Sequence, residues 1–434
     1  MKLFIKFIFL TLLFSCSENY VYENKLKYDV KNLSDDKYEG REAGKNGEKE
    51  AAKYIESRFK EIGLHPKGTE EYIQPFNFKN NSNPHSRATI AEDNSDGLIS
   101  SNVIGFIDNK SETTVVFGAH YDHLGFGNSS SLSSEKEIHN GADDNASGVA
   151  IILDLASKLI GMDSSNNYLF IAFGAEELGL LGSNYFNKYP TIDLESINYM
   201  FNFDMVGRLN DQNNLAIYGT GTSPIFKQTI LSNNKDFKIT EHESGQGPSD
   251  HTSFYLSDIP VLHFFTGQHS EYHKPTDDFE LINFEGLEKI SDYIIELVDD
   301  LDDNGKLKFK KTKDENSRMS PKFSVTLGVM PDYLFDGKGM KIDGVSSDKP
   351  AEKGGILKGD IVIKIDKYDI ENMMSYMETL SKFKKGDKVT VSVLRNSKIE
   401  KIKKSFCLPS LVIFFTGQII PKKAKQRTGR YIFQ

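Results

Sequence analysis

Along the first 300 residues the apolar positions alternate between a helical period and unbroken runs. "EKEAAKYIESRFKEIGL" sets Ala51, Tyr54, Ile55, Phe59 and Ile62 on one side of a helix that a glycine terminates. "SGVAIILDLASKLI" repeats the spacing with Val149, Ile152, Leu155 and Leu159. Around it stand the runs "TTVVFGAH", "YLFIAFGAEE", "INYMFNFDMV" and "IPVLHFFT", which lack the polar alternation of a strand with one wet face. Strands of that kind are buried on both sides, and their alternation with helices predicts an α/β fold with a mostly parallel central sheet covered by helices.

The polar residues that matter stand where these strands end. His120 and Asp122 close the first run, Glu176 and Glu177 the second, and Asp204 the third. "GADDNASG" puts Asp143 and Asp144 just before the helix, and "SEYHKPTDD" after the last strand offers His273 and Asp277. Ligands of open parallel sheets bind beyond the carboxyl ends of the strands, so these groups should meet in one crevice. Two adjacent carboxylates repel, which requires a nearby cation or a shared proton. Imidazole plus carboxylate suits Zn²⁺, and Co²⁺ or Mn²⁺ would also fit. Two ions about 3.5–4 Å apart, sharing one aspartate and each holding a histidine and a carboxylate, use five ligands. Five good candidates are present. Asp122 is placed to hold the second nitrogen of His120. Blander readings compete: an Asp-Asp pair before a helix is often a cap, Asp143 can be a solvated loop acid, and His263 and His269 are expected to be structural.

Taken in order, "GAHYDHLG", "GADDNASG", "AFGAEELGLLGS", "NFDMVGR", "SDHTSF" and "YHKPTDD" resemble the M28 co-catalytic zinc peptidases, the family of bacterial secreted leucine-type aminopeptidases, over roughly residues 30 to 300. "LSDDKYEGREAGKNGEKEAAKYIESRFKEIGL" is similar to the family's N-terminal helix region. The resemblance implies two zinc ions, with His120 a ligand of one, Asp144 bridging, and Glu177, Asp204 and His273 completing the set. It further implies Glu176 as general base, Tyr272 as a hydrogen-bond partner of the tetrahedral intermediate, and Asp250 and His251 as wall or supporting groups. The implied substrates are peptides with a free N-terminus, although carboxypeptidase or dipeptidase relatives would show the same ligands. A glutaminyl cyclase shares the fold but uses one zinc, lacks the first histidine and lines its pocket with tryptophan; this chain has His120 and no tryptophan. An inactive surface binding protein would need a missing ligand or base, and none is missing.

The remaining sequence adds context. At 434 residues the chain calls for two domains, and a net charge of −9 without a basic stripe argues against nucleic acid as a partner. Residues 1–15 have the layout of an export signal, and "LFSC" resembles a lipobox that would anchor the protein to a membrane through a lipid on Cys16, the alternatives being a plain cleaved signal or a buried start. An exported protein is therefore expected: periplasmic, a cell-surface lipoprotein, or secreted. With Cys407 the only other cysteine, no disulfide framework is expected. The expected division is a zinc peptidase domain over 16–303, a charged linker over 304–321, and a small β-rich domain over 322–406 that resembles a bacterial-protease PDZ domain, most specifically in "PAEKGGILKGDIVIKID". That resemblance implies capture of a peptide C-terminus by the backbone of Leu327, Gly328 and Val329; the alternative is a domain that only packs. The tail 407–434 has no recognisable match and begins where a closing strand would be expected.

Overall fold

The computed structural model describes residues 25–79, 88–91, 97–128, 130–133, 135–312, 325–332, 335, 337–345 and 349–405. The signal segment, Cys16 and the tail 407–434 lie outside the described residues. Among the described residues no helix is long and apolar enough to cross a membrane.

Among the described residues the N-terminal domain has ten strands: β1 (His65–Pro66), β2 (Ile73–Lys79), β3 (Thr89–Ile90), β4 (Leu98–Ile107), β5 (Thr113–His120), β6 (Asn166–Phe173), β7 (Ile197–Phe203), β8 (Asn214–Tyr218), β9 (Lys238–His242) and β10 (Val261–Phe265). They form one sheet in the order β3-β2-β4-β6-β5-β7-β10-β8-β9, with β1 beside β4. The four strands read from apolar runs, β6, β5, β7 and β10, are contiguous and mutually parallel, so their carboxyl ends share one edge. The flanks differ: β4 joins β6 antiparallel, and β8 joins β10 antiparallel.

Among the described residues seven α-helices cover the sheet: α1 (Lys25–Leu33), α2 (Asn46–Ile62), α3 (Gly148–Leu159), α4 (Leu181–Lys188), α5 (Phe226–Asn233), α6 (His251–Tyr255) and α7 (Phe284–Asp302). Side chains of β5 alternate between two cores. Val115, Phe117 and Ala119 pack with α1, α2, α3, α5 and α7, while Val116 joins Phe186 of α4 and Phe254 of α6 on the other face. The α2 helix ends as its sequence predicts, on Gly63 in the left-handed region (φ 96°), whose N–H bonds the Phe59 and Lys60 carbonyls.

Residues 304–312, expected as the head of a linker, pack on this domain. Leu307 is buried, its N–H donates to Asn198 Oδ1 (2.7 Å), and the Phe309 ring lies 5.5 Å from that of Tyr255. Lys310 N donates to the Thr222 carbonyl (2.7 Å) and Thr312 N to the Tyr255 hydroxyl (3.1 Å).

The C-terminal domain contains β11 (Val329–Pro331), β12 (Met340–Val345), β13 (Ile361–Ile365), β14 (Tyr368–Asp369), β15 (Lys388–Arg395) and β16 (Lys398–Ser405), with helices α8 (Pro350–Gly354) and α9 (Met373–Leu380). Its sheet runs β11-β12-β13-β15-β16, with β14 on β13. The closing strand expected beyond 407 is supplied earlier by β16, which pairs with all of β15 from Lys388 opposite Ser405 to Arg395 opposite Lys398. Strand β11 stands at the sheet edge.

Candidate active site

Each candidate side chain arrives at the crevice from a strand end or the loop after it. His120 is the last residue of β5; Glu176 and Glu177 follow β6, Asp204 follows β7, and His273 lies in the loop after β10. Asp144 sits in the turn before α3. That turn is shaped by Asp277, whose Oδ2 accepts from the backbone N–H of both Asp143 and Asp144 (3.0 Å each). The first N–H of α3 is bonded by Asn145 Oδ1 (3.0 Å), so the aspartates are not its caps.

Asp144 divides its two oxygens. Oδ1 lies 3.3 Å from His120 Nε2, which is 3.5 Å from Asp204 Oδ1. Oδ2 lies 3.2 Å from His273 Nε2, which is 3.4 Å from Glu177 Oε1. His123, in the quoted "GAHYDHLG" but not among the candidates, enters this second group: its Nδ1 is 3.0 Å from Glu177 Oε1 and 3.9 Å from Asp144 Oδ2. The donor atoms of His120, Asp144 and Asp204 lie within 4.8 Å of one another, as do those of His123, Asp144 and Glu177. Three imidazoles and three carboxylates thus form two donor sets that share one aspartate. A borderline divalent cation is what such a buried set of nitrogen and oxygen donors accommodates.

The supporting groups differ in part from expectation. Asp122 meets His120 through its backbone: Nδ1 is 3.2 Å from the Asp122 carbonyl and 3.8 Å from its carboxylate. The carboxylate accepts instead from Glu176 N (2.9 Å) and Glu177 N (3.3 Å), so Asp122 tethers the loop that carries both glutamates. Asp143, expected as a possible solvated acid, is fully buried, with Oδ1 accepting from Gly207 N (2.6 Å) and Oδ2 3.1 Å from His269 Nε2. His263 stacks on His251 with centroids 4.4 Å apart. Asp250 is fully buried beside these groups and acts electrostatically on Glu176. The Tyr272 ring stacks on His273 at 3.8 Å and packs beside Met205, Ala216 and Phe265.

Charge is distributed unevenly. Burial, then Asp250, Glu177 and Asp204, push Glu176 well above the ordinary carboxylate range against the pull of His120. Burial acts the same way on Glu177, but His273 and His123 outweigh it and lower that carboxyl to about 2. Burial lifts Asp122, Asp250 and Asp277 to about 7. His273 resists burial and rises to about 10 because Glu177 and Asp144 face it.

In the C-terminal domain Leu327 is buried in the core, its carbonyl accepts from Ala351 N (2.8 Å), and Gly328 N donates to Thr326 Oγ1 (2.9 Å). Gly328 has φ 76°, and the Lys349 side chain fills the space a Cβ would need. Val329 opens the edge strand β11.

Residues 102–298 match the family model of peptidase family M28, and residues 308–404 that of a PDZ domain. Aminopeptidase YwaD of Bacillus subtilis (strain 168) is 31% identical over 212 residues, which span 46% of this chain and 44% of the relative. Leupeptin-inactivating enzyme 1 of Streptomyces exfoliatus is 36% identical over 132 residues, 29% of each chain. The chain thus spans less than half the length of these two curated relatives. Among solved structures, an aminopeptidase from Aneurinibacillus sp. strain AM-1 superposes with a TM-score of 0.50 at 20% identity, covering 67% of this chain and 95% of that one. A glutaminyl cyclase of Bacteroides thetaiotaomicron gives 0.50 at 16%, covering 63% and 96%. Both likenesses concern the fold alone. The two family matches fall on the two sheets described above: the chain carries a peptidase family M28 domain followed by a PDZ domain.

Proposed function

We propose that the chain is a zinc aminopeptidase that removes residues from the free N-terminus of peptides. The observation that carries this reading is the division of Asp144, with one oxygen toward His120 and Asp204 and the other toward His273 and Glu177. His120 and Asp204 would hold one ion, His273 and Glu177 the other, and Asp144 both. Zinc in such a site supplies Lewis acidity toward a carbonyl oxygen and acidifies water.

The chain's own residues do the rest. Glu176 is the general base: burial raises its carboxyl, which makes the ionised carboxylate a stronger acceptor for the proton of the attacking water, and that proton is then delivered to the leaving amine. Asp122 keeps Glu176 aimed by bonding its backbone N–H. Tyr272, set against His273, offers its hydroxyl to the tetrahedral intermediate. His123 orients Glu177 through the contact of its Nδ1 with Oε1 (3.0 Å). A single-zinc cyclase would leave the pairing of His120 with Asp204 without use. Export, lipid anchoring through Cys16, and capture of a peptide C-terminus beside β11 at Leu327, Gly328 and Val329 belong to the same proposal.

The test is elemental analysis of the purified protein together with hydrolysis of aminoacyl chromogenic amides, with and without a blocked N-terminus. Two zinc per chain and cleavage of unblocked substrates alone are expected. One metal or none without cleavage would overturn the reading.

A further inference from the structure

Arg41 is among the largest fully buried side chains, with 1% of its surface exposed, and no carboxylate among the described residues pairs with it. Its guanidinium donates instead to four backbone carbonyls. Nε reaches Tyr121 (2.7 Å), Nη1 reaches Asn140 (2.7 Å) and Leu33, and Nη2 reaches Gly141 (3.0 Å). Tyr121 follows His120, and Gly141 opens the turn that presents Asp144. One planar fork therefore ties the end of β5 to the loop of the shared aspartate.

The backbone is bent to put it there. Glu39, Gly40 and Arg41 are three consecutive residues in the left-handed region, with φ of 50°, 65° and 50°. A Cβ on Gly40 would stand 2.6 Å from the Gly125 oxygen and 2.7 Å from the His139 oxygen. This close approach lets the Arg41 carbonyl accept from His123 N (3.1 Å) and the Gly40 carbonyl from Gly125 N (2.9 Å). Burial lowers the guanidinium to about 10, while Asp144, Asp122 and Asp277 face it and oppose that fall, so it remains a cation at neutral pH. A plain strut needs no charge, and burying an unpaired one is costly. In the field of three carboxylates it has a use.

We infer that Arg41 is a positioning residue that fixes the separation of His120 from Asp144 and holds the crowded carboxylates in the arrangement that binds the metal ions. The inference rests on the metal-site reading above. Its test is zinc affinity of the full chain, measured by titrating chelator-stripped protein against a chromophoric chelator, with thermal unfolding of the stripped protein and a split of kcat from KM alongside. Arg41→Met should bind zinc about 10–100-fold more weakly, the range seen when groups supporting metal ligands are removed, and lose kcat with KM nearly unchanged. Arg41→Lys keeps the charge but cannot reach four carbonyls, so its affinity should fall between the two. Wild-type affinity in Arg41→Met, whatever its unfolding temperature, would overturn the assignment. Should Arg41→Met fail to fold, Arg41→Lys decides: weaker zinc binding than wild type supports the inference, and equal binding overturns it. A wild-type chain that takes up no zinc would overturn the site reading itself, a result separate from equal binding by wild type and variant.

Discussion

Glu176 and Glu177 are neighbours whose surroundings drive them apart, one held up by burial and by Asp250, the other brought down to about 2 by His273 and His123. Pairs separated in this way mark an acid–base group beside a permanently charged one. Glu176→Gln keeps the volume but cannot take a proton, and Glu176 is outside both donor sets around Asp144. The variant should keep its zinc by elemental analysis while kcat falls about 10²–10⁴-fold; full activity would place the base elsewhere. His251 gives a second residue-level prediction. Burial lowers its imidazole from 6.5 to about 3 in the fold. The unfolded chain therefore binds more protons between those values, and stability present above pH 6.5 is lost as pH falls toward 3. His251→Phe keeps a ring against His263 and removes the titration, so its urea midpoint should drop less than the wild type's between pH 6.5 and about 4. An equal drop would assign the acid sensitivity to other groups. Of the five expected ligands, His120, Asp144, Glu177 and Asp204 were legible because each ends or follows a strand or precedes a helix, while His273 was read from its motif in the loop after the last strand. His123 was not, because it lies three residues past β5 and turns back to Glu177 only where the Arg41 carbonyl and the bridge from Glu42 hold that turn.

Helix α3 meets the end of β7 at Gly148, and the contact is a backbone one. A Cβ there would lie 2.5 Å from the Phe203 carbonyl oxygen and 2.4 Å from Asn145 Oδ1. Alanine is favoured over glycine in a helix by about 1 kcal/mol, but overpacking costs about 1–3 kcal/mol, and Phe203 cannot yield without moving β7. Gly148→Ala should therefore melt below wild type by calorimetry, with weakened zinc uptake because Asp204 follows Phe203 and Asp144 precedes the helix. A higher melting temperature would show that α3 has room to spare. The same geometry explains which elements the sequence disclosed. β5, β6, β7 and β10 are covered on both faces and read as continuous apolar runs. In β2 only Gln74, Phe76 and Phe78 are buried, in alternation, and Pro75 interrupts the apolar signal. At the other margin β8 and β9 have five residues each, too few to show a period. The outer strands β2, β8 and β9 were thus hidden by half-exposure or shortness, while the part of the sheet that positions the site was not.

At the scale of the whole chain, the decisive segment is the one that looked like the start of a linker. Lysines dominate residues 304–312, yet Leu307 and Phe309 pack on the M28 domain and the backbone there bonds Asn198, Thr222 and Tyr255. Every residue in the two donor sets lies between His120 and His273, so removing the PDZ domain leaves the metal site intact in principle. What decides stability is where the cut falls. Burying a leucine contributes about 1.5–3 kcal/mol, and each net hydrogen bond about 0.5–1.5 kcal/mol. Losing Leu307, Phe309 and these bonds together should remove several kcal/mol, which in a domain of this size lowers the melting temperature by roughly 5 °C or more. A chain ending at residue 312 should accordingly unfold at the temperature of the M28 transition in the full-length protein, and bind the same amount of zinc. A chain ending at residue 303 should unfold at the lower temperature with its zinc content unchanged at 25 °C. Calorimetry and elemental analysis on the two truncated chains separate the outcomes. Identical melting would mean that residues 304–312 only lie against the domain, whereas loss of zinc in the longer chain would mean that the PDZ domain takes part in forming the site.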